Sequence, residues 1–342
     1  MMQVVTATPE RDACLLRLLE ENAMQGDIDL VMTRRPTYFS PQSEFGVAHT
    51  ALALEEARAV GMCRLTEHAG FANGEPQKLG YLGSLRIIPD HRHRIRVLKA
   101  GFQYLRQLPP PTRCYTSIAA DNHSALRLLE RGVAGLPEYR YLGEMCSLAI
   151  SHRRGRQHNL WRIMPAERYH AVAEYYRRRA VQRQLAPEVD ADWLLNSGAT
   201  VLGYGDVNSL KACAVLWNQQ AFKQVLVAGY SSRTRLLRPL YNGYARVTGR
   251  VTLPATGQTL DQSFLAFFAA DDDAPLLALI EDALVLSSTP IVTLGLPAAL
   301  PGVRKLIKDT RATVYRTRLY GVDLIARPEW DNRIVWPEIA LL

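Results

Sequence analysis

The stretch DHRHRIRV at residues 90–97 places three arginines and two histidines within eight positions. It follows an apolar segment and precedes residues with helical spacing. A helix start carries about half a positive charge and several unpaired backbone N–H groups, so it suits a phosphate. The guanidinium groups of Arg92, Arg94 and Arg96 add charge-assisted donors. The sequence therefore predicts an anion site at this helix start.

A strand before this stretch and a helix after it must position the arginines. The apolar segment from Lys78 to Ile88 ends at Pro89, which predicts a strand. Four apolar residues then recur at spacings of 3, 4 and 3, which predicts an amphipathic helix. They are Ile95, Leu98, Phe102 and Leu105. Upstream, HAGFANGEP at 68–76 predicts a loop with an Asn-Gly turn.

Composition narrows the class of protein. Basic residues exceed acidic ones by 41 − 33 = 8 and the pI is about 9.3, which favours anionic partners. We find no secretory signal and no apolar run near the ~20 residues that span a bilayer. The five cysteines are dispersed, which is typical of a reducing cytosol. We therefore expect a cytoplasmic protein with no membrane partner. His91 and His93 lack supporting ligands, so no metal site is predicted.

The length of 342 residues suggests two domains, at roughly 150 residues each. The polar, basic segment HRRGRQ at 152–157 is typical of a linker. After it the predicted elements repeat in the same order, with strands alternating with helices. We therefore predict two tandem α/β units, at 1–151 and 158–342, each with a mixed, mostly antiparallel central sheet flanked by helices.

Two motifs in the first unit resemble those of the GCN5-related N-acetyltransferase (GNAT) superfamily. The family signature is a strand, a Pro-x-x-Arg-Gly-x-Gly-x-Gly loop and a helix, and here Pro89 and Arg92 match its spacing. A second signature is a strand followed by Asn-x-x-Ala on a short helix, which Asn122 and Ala125 match. The resemblance covers residues 2–150, and the second unit shares only the order of elements.

The resemblance implies that the first unit binds acetyl-CoA or another acyl-CoA as co-substrate. The strand around residue 86 would pair with the pantetheine arm, and the loop and helix start would hold the pyrophosphate. The implied cofactor-binding residues are Leu85, Arg86, Ile87, Arg92, His93, Arg94, Ile95, Arg96, Val97 and Asn122. The sequence departs from the family where His93, Ile95 and Val97 replace glycines. Either the arginines supply charge in place of close backbone approach, or they face water.

The second unit differs at the corresponding place. Its sequence reads AADDDAPLLALI, and Asp271, Asp272 and Asp273 stand where phosphate would lie. Carboxylates repel an anionic cofactor. We therefore predict that this degenerate unit does not bind coenzyme A and instead shapes the acceptor cleft.

Acyl transfer to an amine requires a base, an oxyanion donor and an acid for the leaving thiolate. The family often uses a tyrosine four residues beyond the Asn-x-x-Ala alanine as the acid, and here that position is Leu129. Tyr139 is the candidate acid in its place, with Tyr141 as an alternative. Candidate bases are Glu44, Glu67 and His68, or a water molecule.

We therefore predict an acyl-CoA-dependent N-acyltransferase that acts on a small-molecule or peptide amine. Two other hypotheses remain open. One is a non-catalytic GNAT-like module for ligand binding or assembly, which the missing glycines and tyrosine favour. The other is an aminoacyl-tRNA-dependent transferase, which the basic charge favours, so a nucleic-acid partner stays open. The acceptor, the acyl chain and the oligomeric state are left open by the sequence.

Overall fold

A single sheet runs through both halves of the chain. The computed structural model describes residues 2–24, 27–41, 45–92, 94–206 and 209–342. The strands are β1 (Met2–Thr6), β2 (Ile28–Thr33), β3 (Val47–Glu55), β4 (Arg58–Ala72), β5 (Glu75–Ile87), β6 (Arg113–Ala119), β7 (Glu138–Ser151), β8 (Arg162–Ile163), β9 (Thr200–Asp206), β10 (Ser209–Trp217), β11 (Gln224–Tyr230), β12 (Gln262–Ala270), β13 (Ile291–Pro297) and β14 (Thr313–Asp323). The helices are α1 (Asp12–Glu20), α2 (Ile95–Arg106), α3 (His123–Glu130), α4 (Tyr169–Ala180), α5 (Ala191–Asn196), α6 (Ser232–Thr248), α7 (Leu276–Leu286) and α8 (Val303–Thr310).

The last strands of the two halves have exchanged places. The described residues form a 12-stranded sheet in the order β1-β3-β4-β5-β6-β14-β7-β13-β12-β10-β9-β8. Thus β14 pairs with β6, from Thr317 opposite Ala119 to Val322 opposite Cys114. In turn β7 pairs antiparallel with β13. A separate two-stranded sheet, β2 with β11, also joins the halves. The predicted fold class, tandem units with mixed, mostly antiparallel strands and flanking helices, is confirmed, and the limits 1–151 and 158–342 stay a prediction.

Each half contains the same irregularity in its sheet. Parallel pairing of β5 with β6 covers three residue pairs and ends at Tyr81 opposite Tyr115. Parallel pairing of β12 with β13 also covers three pairs and ends at Phe264 opposite Thr293. Beyond these points β5 and β12 each carry a bulge. Each bulge has one residue in the left-handed region, Ser84 at φ 51° in β5 and Phe267 at φ 49° in β12. The neighbouring strands therefore diverge, and we call the two gaps the first and second openings.

The helix predicted after the arginine-rich stretch is present and anchors the first opening. Val97, Leu98, Phe102 and Leu105 of α2 are buried against the sheet. Burying such side chains contributes about 1.5–3 kcal/mol each, which fixes the helix and its start. The loop predicted at 68–76 is instead almost entirely strand. β4 continues to Ala72 and β5 begins at Glu75, so only the Asn-Gly dipeptide turns.

The described residues contain neither a membrane-spanning helix nor a cluster of metal-binding side chains. None of the helices there has the length and apolar character needed to cross a bilayer. The same part of the chain has no group of three or more His, Cys, Asp or Glu side chains arranged to hold a metal ion.

Candidate functional site

The first opening leaves part of β5 without a partner on the β6 side. The threonine Oγ1 of Thr116 donates a hydrogen bond to the Leu82 carbonyl at 2.6 Å, and the hydroxyls of Tyr81 and Ser117 lie 2.8 Å apart. Beyond these contacts, no hydrogen bond among the described residues joins residues 85–87 to β6. In the described part of the chain, this segment therefore has no strand partner on the side of the opening, and only arginine side chains contact its carbonyls there.

The start of α2 lies next to this segment and has unused backbone donors. The N–H groups of Arg94 and Val97 bond to the carbonyls of His91 and Arg94, so they are occupied. Within the described part of the chain, no residue accepts from the N–H of Ile95 or Arg96. The Val97 side chain is buried in the core, whereas Ile95 is exposed. Two donors at a helix start are the kind of site that binds a phosphate.

The arginines at this corner are held by neighbouring acceptors. Arg94 and Arg96 both donate to the carboxylate of Glu55, which lies at the end of β3. His91 contacts the same carboxylate through Nε2 at 2.6 Å. The hydrogen bond from His91 and the charges of the two arginines lower the pKa of Glu55. Glu55 therefore holds the guanidinium groups of Arg94 and Arg96 beside the helix start and partly neutralises their charge.

The other arginines contact β5 and Asn22, which follows α1 in the chain. Arg92 donates through Nε to the Ile87 carbonyl at 3.3 Å and through Nη2 to Oδ1 of Asn22 at 3.1 Å. Arg86 is half-buried and donates through Nη1 to the Leu85 carbonyl at 2.9 Å, and its buried Nε has no hydrogen-bond partner among the described residues. The predicted side chains thus surround the opening and the helix start. His93 lies outside the described residues.

Asn122 and Tyr139 lie away from the helix start. Asn122 is the N-cap of α3, and its Oδ1 accepts from the N–H of Ala125 at 3.1 Å. Tyr139 packs beneath α2 against a cluster that includes Leu98 and Phe102. Burial raises the pKa of Tyr139 well above its usual range. The structure therefore gives Asn122 a capping role and Tyr139 a packing role, and their predicted contacts with a cofactor stay predictions.

A cleft lies where the two halves meet, on the side of the sheet that carries Tyr81 and Tyr115. Both halves contribute to its walls, and the sequence analysis did not identify the residues of the second half. The lining includes Thr66, His68, Tyr81, Tyr115, Trp217, Phe222 and Lys223. Because Tyr81 and Tyr115 also mark the point where the first opening begins, the cleft and the opening are adjacent.

His68 is the titratable residue in this cleft whose proton can be assigned. Its Nδ1 lies 2.9 Å from the Ala69 carbonyl, which can only accept, so Nδ1 carries the proton. Its Nε2 lies 3.1 Å from the Tyr115 hydroxyl and therefore holds the lone pair. Burial lowers the pKa of His68 below its usual 6.5, so the ring is neutral at neutral pH. A neutral imidazole whose Nε2 lone pair accepts from a tyrosine hydroxyl is in the protonation state that a base requires.

The second opening is filled by a later segment of the chain. The Phe267 N–H donates to Oε2 of Glu338 at 2.6 Å, and Trp336 donates through Nε1 to the Gly295 carbonyl at 3.1 Å. Ile339 lies so close to Gly295 that an added Cβ would come within 2.6 Å of it. Residues 336–341, which we call the filling segment, thus bridge β12 and β13 beyond their last pair.

Charged groups around the filling segment are buried with it. Burial raises the pKa of Glu338 to about 7, and burial together with nearby arginines lowers the pKa of Lys223 to about 7. Lys223 donates through Nζ to the Ala340 carbonyl at 3.1 Å. Asp271, which the sequence places where phosphate would lie, instead bonds to Tyr175 at 2.6 Å and to Arg179. The second opening is therefore satisfied by the protein itself.

Comparisons with known proteins identify the fold. No protein-family model and no curated protein sequence matches the chain. Among solved structures, Saccharomyces cerevisiae N-myristoyltransferase with bound myristoyl-CoA matches with a TM-score of 0.59 at 9% identity, over 94% of this chain and 82% of that one. A GCN5-related N-acetyltransferase from Anabaena variabilis matches with a TM-score of 0.53 at 12% identity, over 95% and 73%. A probable N-acyltransferase from Enterococcus faecalis gives 0.53 at 9% identity, over 95% and 73%. The predicted tandem GNAT-like fold is confirmed.

Proposed function

We propose that this protein transfers an acyl group from acyl-CoA to an amine. The observation that carries the proposal is the first opening. Within the described residues, residues 85–87 of β5 have no partner on the β6 side, and two N–H groups at the start of α2 have no acceptor. A structure that shares the fold contains myristoyl-CoA, which supports an acyl-CoA as the ligand of this opening. The acyl chain, acetyl or longer, is left open by the proposal.

The cofactor would lie along β5 and end at α2. In the proposal, the pantetheine arm pairs with the backbone of Leu85, Arg86 and Ile87. The diphosphate accepts from the N–H groups of Ile95 and Arg96, with added charge from the arginine side chains. Residues that complete this proposed site are Arg92, His93, Arg94, Val97 and Asn122.

The amine would enter the cleft between the halves, and His68 would be its base. The amine nitrogen attacks the thioester carbonyl carbon, and the bond from carbon to sulfur breaks. The proton lost by the amine passes to the Tyr115 hydroxyl, which gives its own proton to Nε2 of His68. The thiolate takes up a proton from an acid, and Tyr139 is the residue proposed for that role. Because burial keeps His68 neutral, it is in its basic form before the amine binds.

One observation favours the alternative of a non-catalytic module. Glu55 occupies Arg94 and Arg96, so part of the charge at the helix start is already neutralised. In that case the first opening would hold a ligand without turning it over. Binding and turnover must therefore be measured separately.

Titration calorimetry with acetyl-CoA and with myristoyl-CoA tests the binding step. We expect Arg92→Ala to weaken binding about tenfold, because one charge-assisted hydrogen bond contributes roughly 1.5–3 kcal/mol. Arg304→Ala removes an equal charge from an exposed position on α8 and should leave binding unchanged. The absence of binding by both cofactors at millimolar concentration, or an equal loss in both variants, would reject the site.

Release of free thiol in the presence of an amine library tests the turnover step. An N-acyltransferase releases one coenzyme A thiol for each amide formed. Binding without thiol release for any amine would favour the non-catalytic module.

A further inference from the structure

Helix α6 presents a row of apolar side chains to solvent. Leu236, Leu240 and Val247 are 79%, 75% and 88% exposed, which is unusual for residues of this kind. Their spacings of four and seven residues place them on one face of the helix. Leu237 and Tyr244 are also exposed and lie beside them. We call this face the α6 stripe.

The opposite face of α6 is attached to the protein, so the orientation of the stripe is fixed. Ala245 is its buried residue among those described. Arg238 donates through Nε and Asn242 through Nδ2 to the Leu253 carbonyl, at 3.1 and 2.9 Å. The Tyr241 hydroxyl donates to the Val251 carbonyl at 3.2 Å. The helix is therefore held along one side, and its apolar side faces outward.

The surroundings of the stripe are basic. Residues 232–250 contain five arginines and no aspartate or glutamate. Two further arginines reach the end of α6, where Arg153 donates to the Arg246 carbonyl at 3.4 Å and Arg311 to the Thr248 carbonyl at 2.8 Å. Within the described part of the chain, none of these seven arginines forms an ion pair with a carboxylate. Their charge is therefore available to an anionic partner.

Against the expectation of no membrane partner, we infer that α6 is a membrane-surface helix that binds anionic lipid. An apolar face flanked by arginines lies in the plane of a bilayer interface, with leucines among the acyl chains and guanidinium groups at the phosphates. A second copy of the chain is a poorer partner, because a symmetric contact would bring the same arginines together. Pro239 and the arginines in α6 are compatible with a helix that lies on a bilayer and does not cross it.

Co-sedimentation of the full chain with lipid vesicles tests this inference. The vesicles contain phosphatidylcholine alone or phosphatidylcholine and phosphatidylglycerol in equal parts. We expect the protein to bind the anionic vesicles and to be released by salt. Leu236→Glu with Leu240→Glu should weaken binding about tenfold or more, because two apolar anchors become charged. Arg233→Gln with Arg235→Gln should weaken it on the anionic vesicles.

A matched control uses exposed apolar residues elsewhere. Ile163→Glu with Leu195→Glu introduces the same charges at positions that are 63% and 61% exposed, and binding should be retained. The inference is overturned if the unaltered protein stays in the supernatant. It is equally overturned if the control variant loses as much binding as Leu236→Glu with Leu240→Glu. It is also overturned if the lipid-free protein is an oligomer that Leu236→Glu with Leu240→Glu separates into monomers, since the stripe would then bind a second copy.

Discussion

The first and second openings arise from the same backbone arrangement. Each follows three parallel residue pairs, and each has a bulge in its longer strand, at Ser84 in one and at Phe267 in the other. In the second opening, Glu338 and Trp336 bond to the two diverging strands. In the first, the corresponding backbone lies beside the arginine-rich start of α2. The fold thus determines where an opening forms, and the local sequence determines whether the chain itself fills it.

The difference extends to a pair of equivalent positions that line the cleft. The register shift in β4 ends at Arg64 and that in β10 ends at Val215. His68 lies four residues after Arg64 in the first half, and Gln219 lies four residues after Val215 in the second half. Gln219 donates to the Ala340 carbonyl of the filling segment at 3.0 Å. The equivalent positions therefore hold the proposed base in one half and a structural amide in the other.

The largest effect is expected when His68 is replaced by glutamine, the residue type at the equivalent position, Gln219, of the second half. His68→Gln removes the lone pair that accepts a proton, so kcat should fall about 100-fold or more. The unaltered enzyme should lose kcat/KM on the acid side with an apparent pKa below 6.5, because burial lowers the pKa of His68. His49→Gln, on the neighbouring strand, is the control. Similar rates for the two variants would show that His68 is not the base.

A second test concerns the stability of the filled opening. Because burial raises the pKa of Glu338 to about 7, its contribution to the free energy of unfolding is fully present below pH 4.5 and is lost as pH rises through about 7. Glu338→Gln removes this dependence. Urea unfolding should therefore show that the unaltered protein loses about 2 kcal/mol relative to the variant between pH 5 and pH 8.

The control for that measurement is Glu167→Gln, which changes an exposed carboxylate outside the filling segment. Its free energy of unfolding should follow that of the unaltered protein across the same pH range. A Glu338→Gln variant that also followed the unaltered protein would mean that Glu338 does not titrate near pH 7, and that the filling segment holds it ionised.

Local periodicity was enough to predict the elements at the first opening. The apolar spacing from Ile95 to Leu105 predicted α2, which spans Ile95–Arg106, and Pro89 marked the end of β5 correctly. These features depend on neighbouring residues only. In the second half the same local signals predict the elements from β12 to β14, whereas β11 and α6 have no counterpart in the predicted order.

Features that depend on distant residues were not predictable. Nothing near Val322 indicates that it pairs with Cys114, so the strand exchange was missed. The Asn-Gly turn signal predicts a loop at 68–76 that includes His68, although tertiary pairing extends β4 through this residue. Glu55 lies far from Arg94 in the sequence, and its role became visible only when β3 and α2 were brought together.

The smallest expected effect is that of replacing Glu55, the carboxylate that pairs with the arginines at the first opening. Glu55→Gln leaves Arg94 and Arg96 without an anionic partner, so they can turn to a phosphate at the start of α2. We expect acyl-CoA to bind about threefold more tightly, with a steeper dependence on salt, because exposed charge pairs contribute little and are screened. Glu167→Gln again serves as the control. If Glu55→Gln weakened binding instead, Glu55 would be orienting the arginines for the cofactor, and the first opening would depend on a carboxylate as the second one does on Glu338.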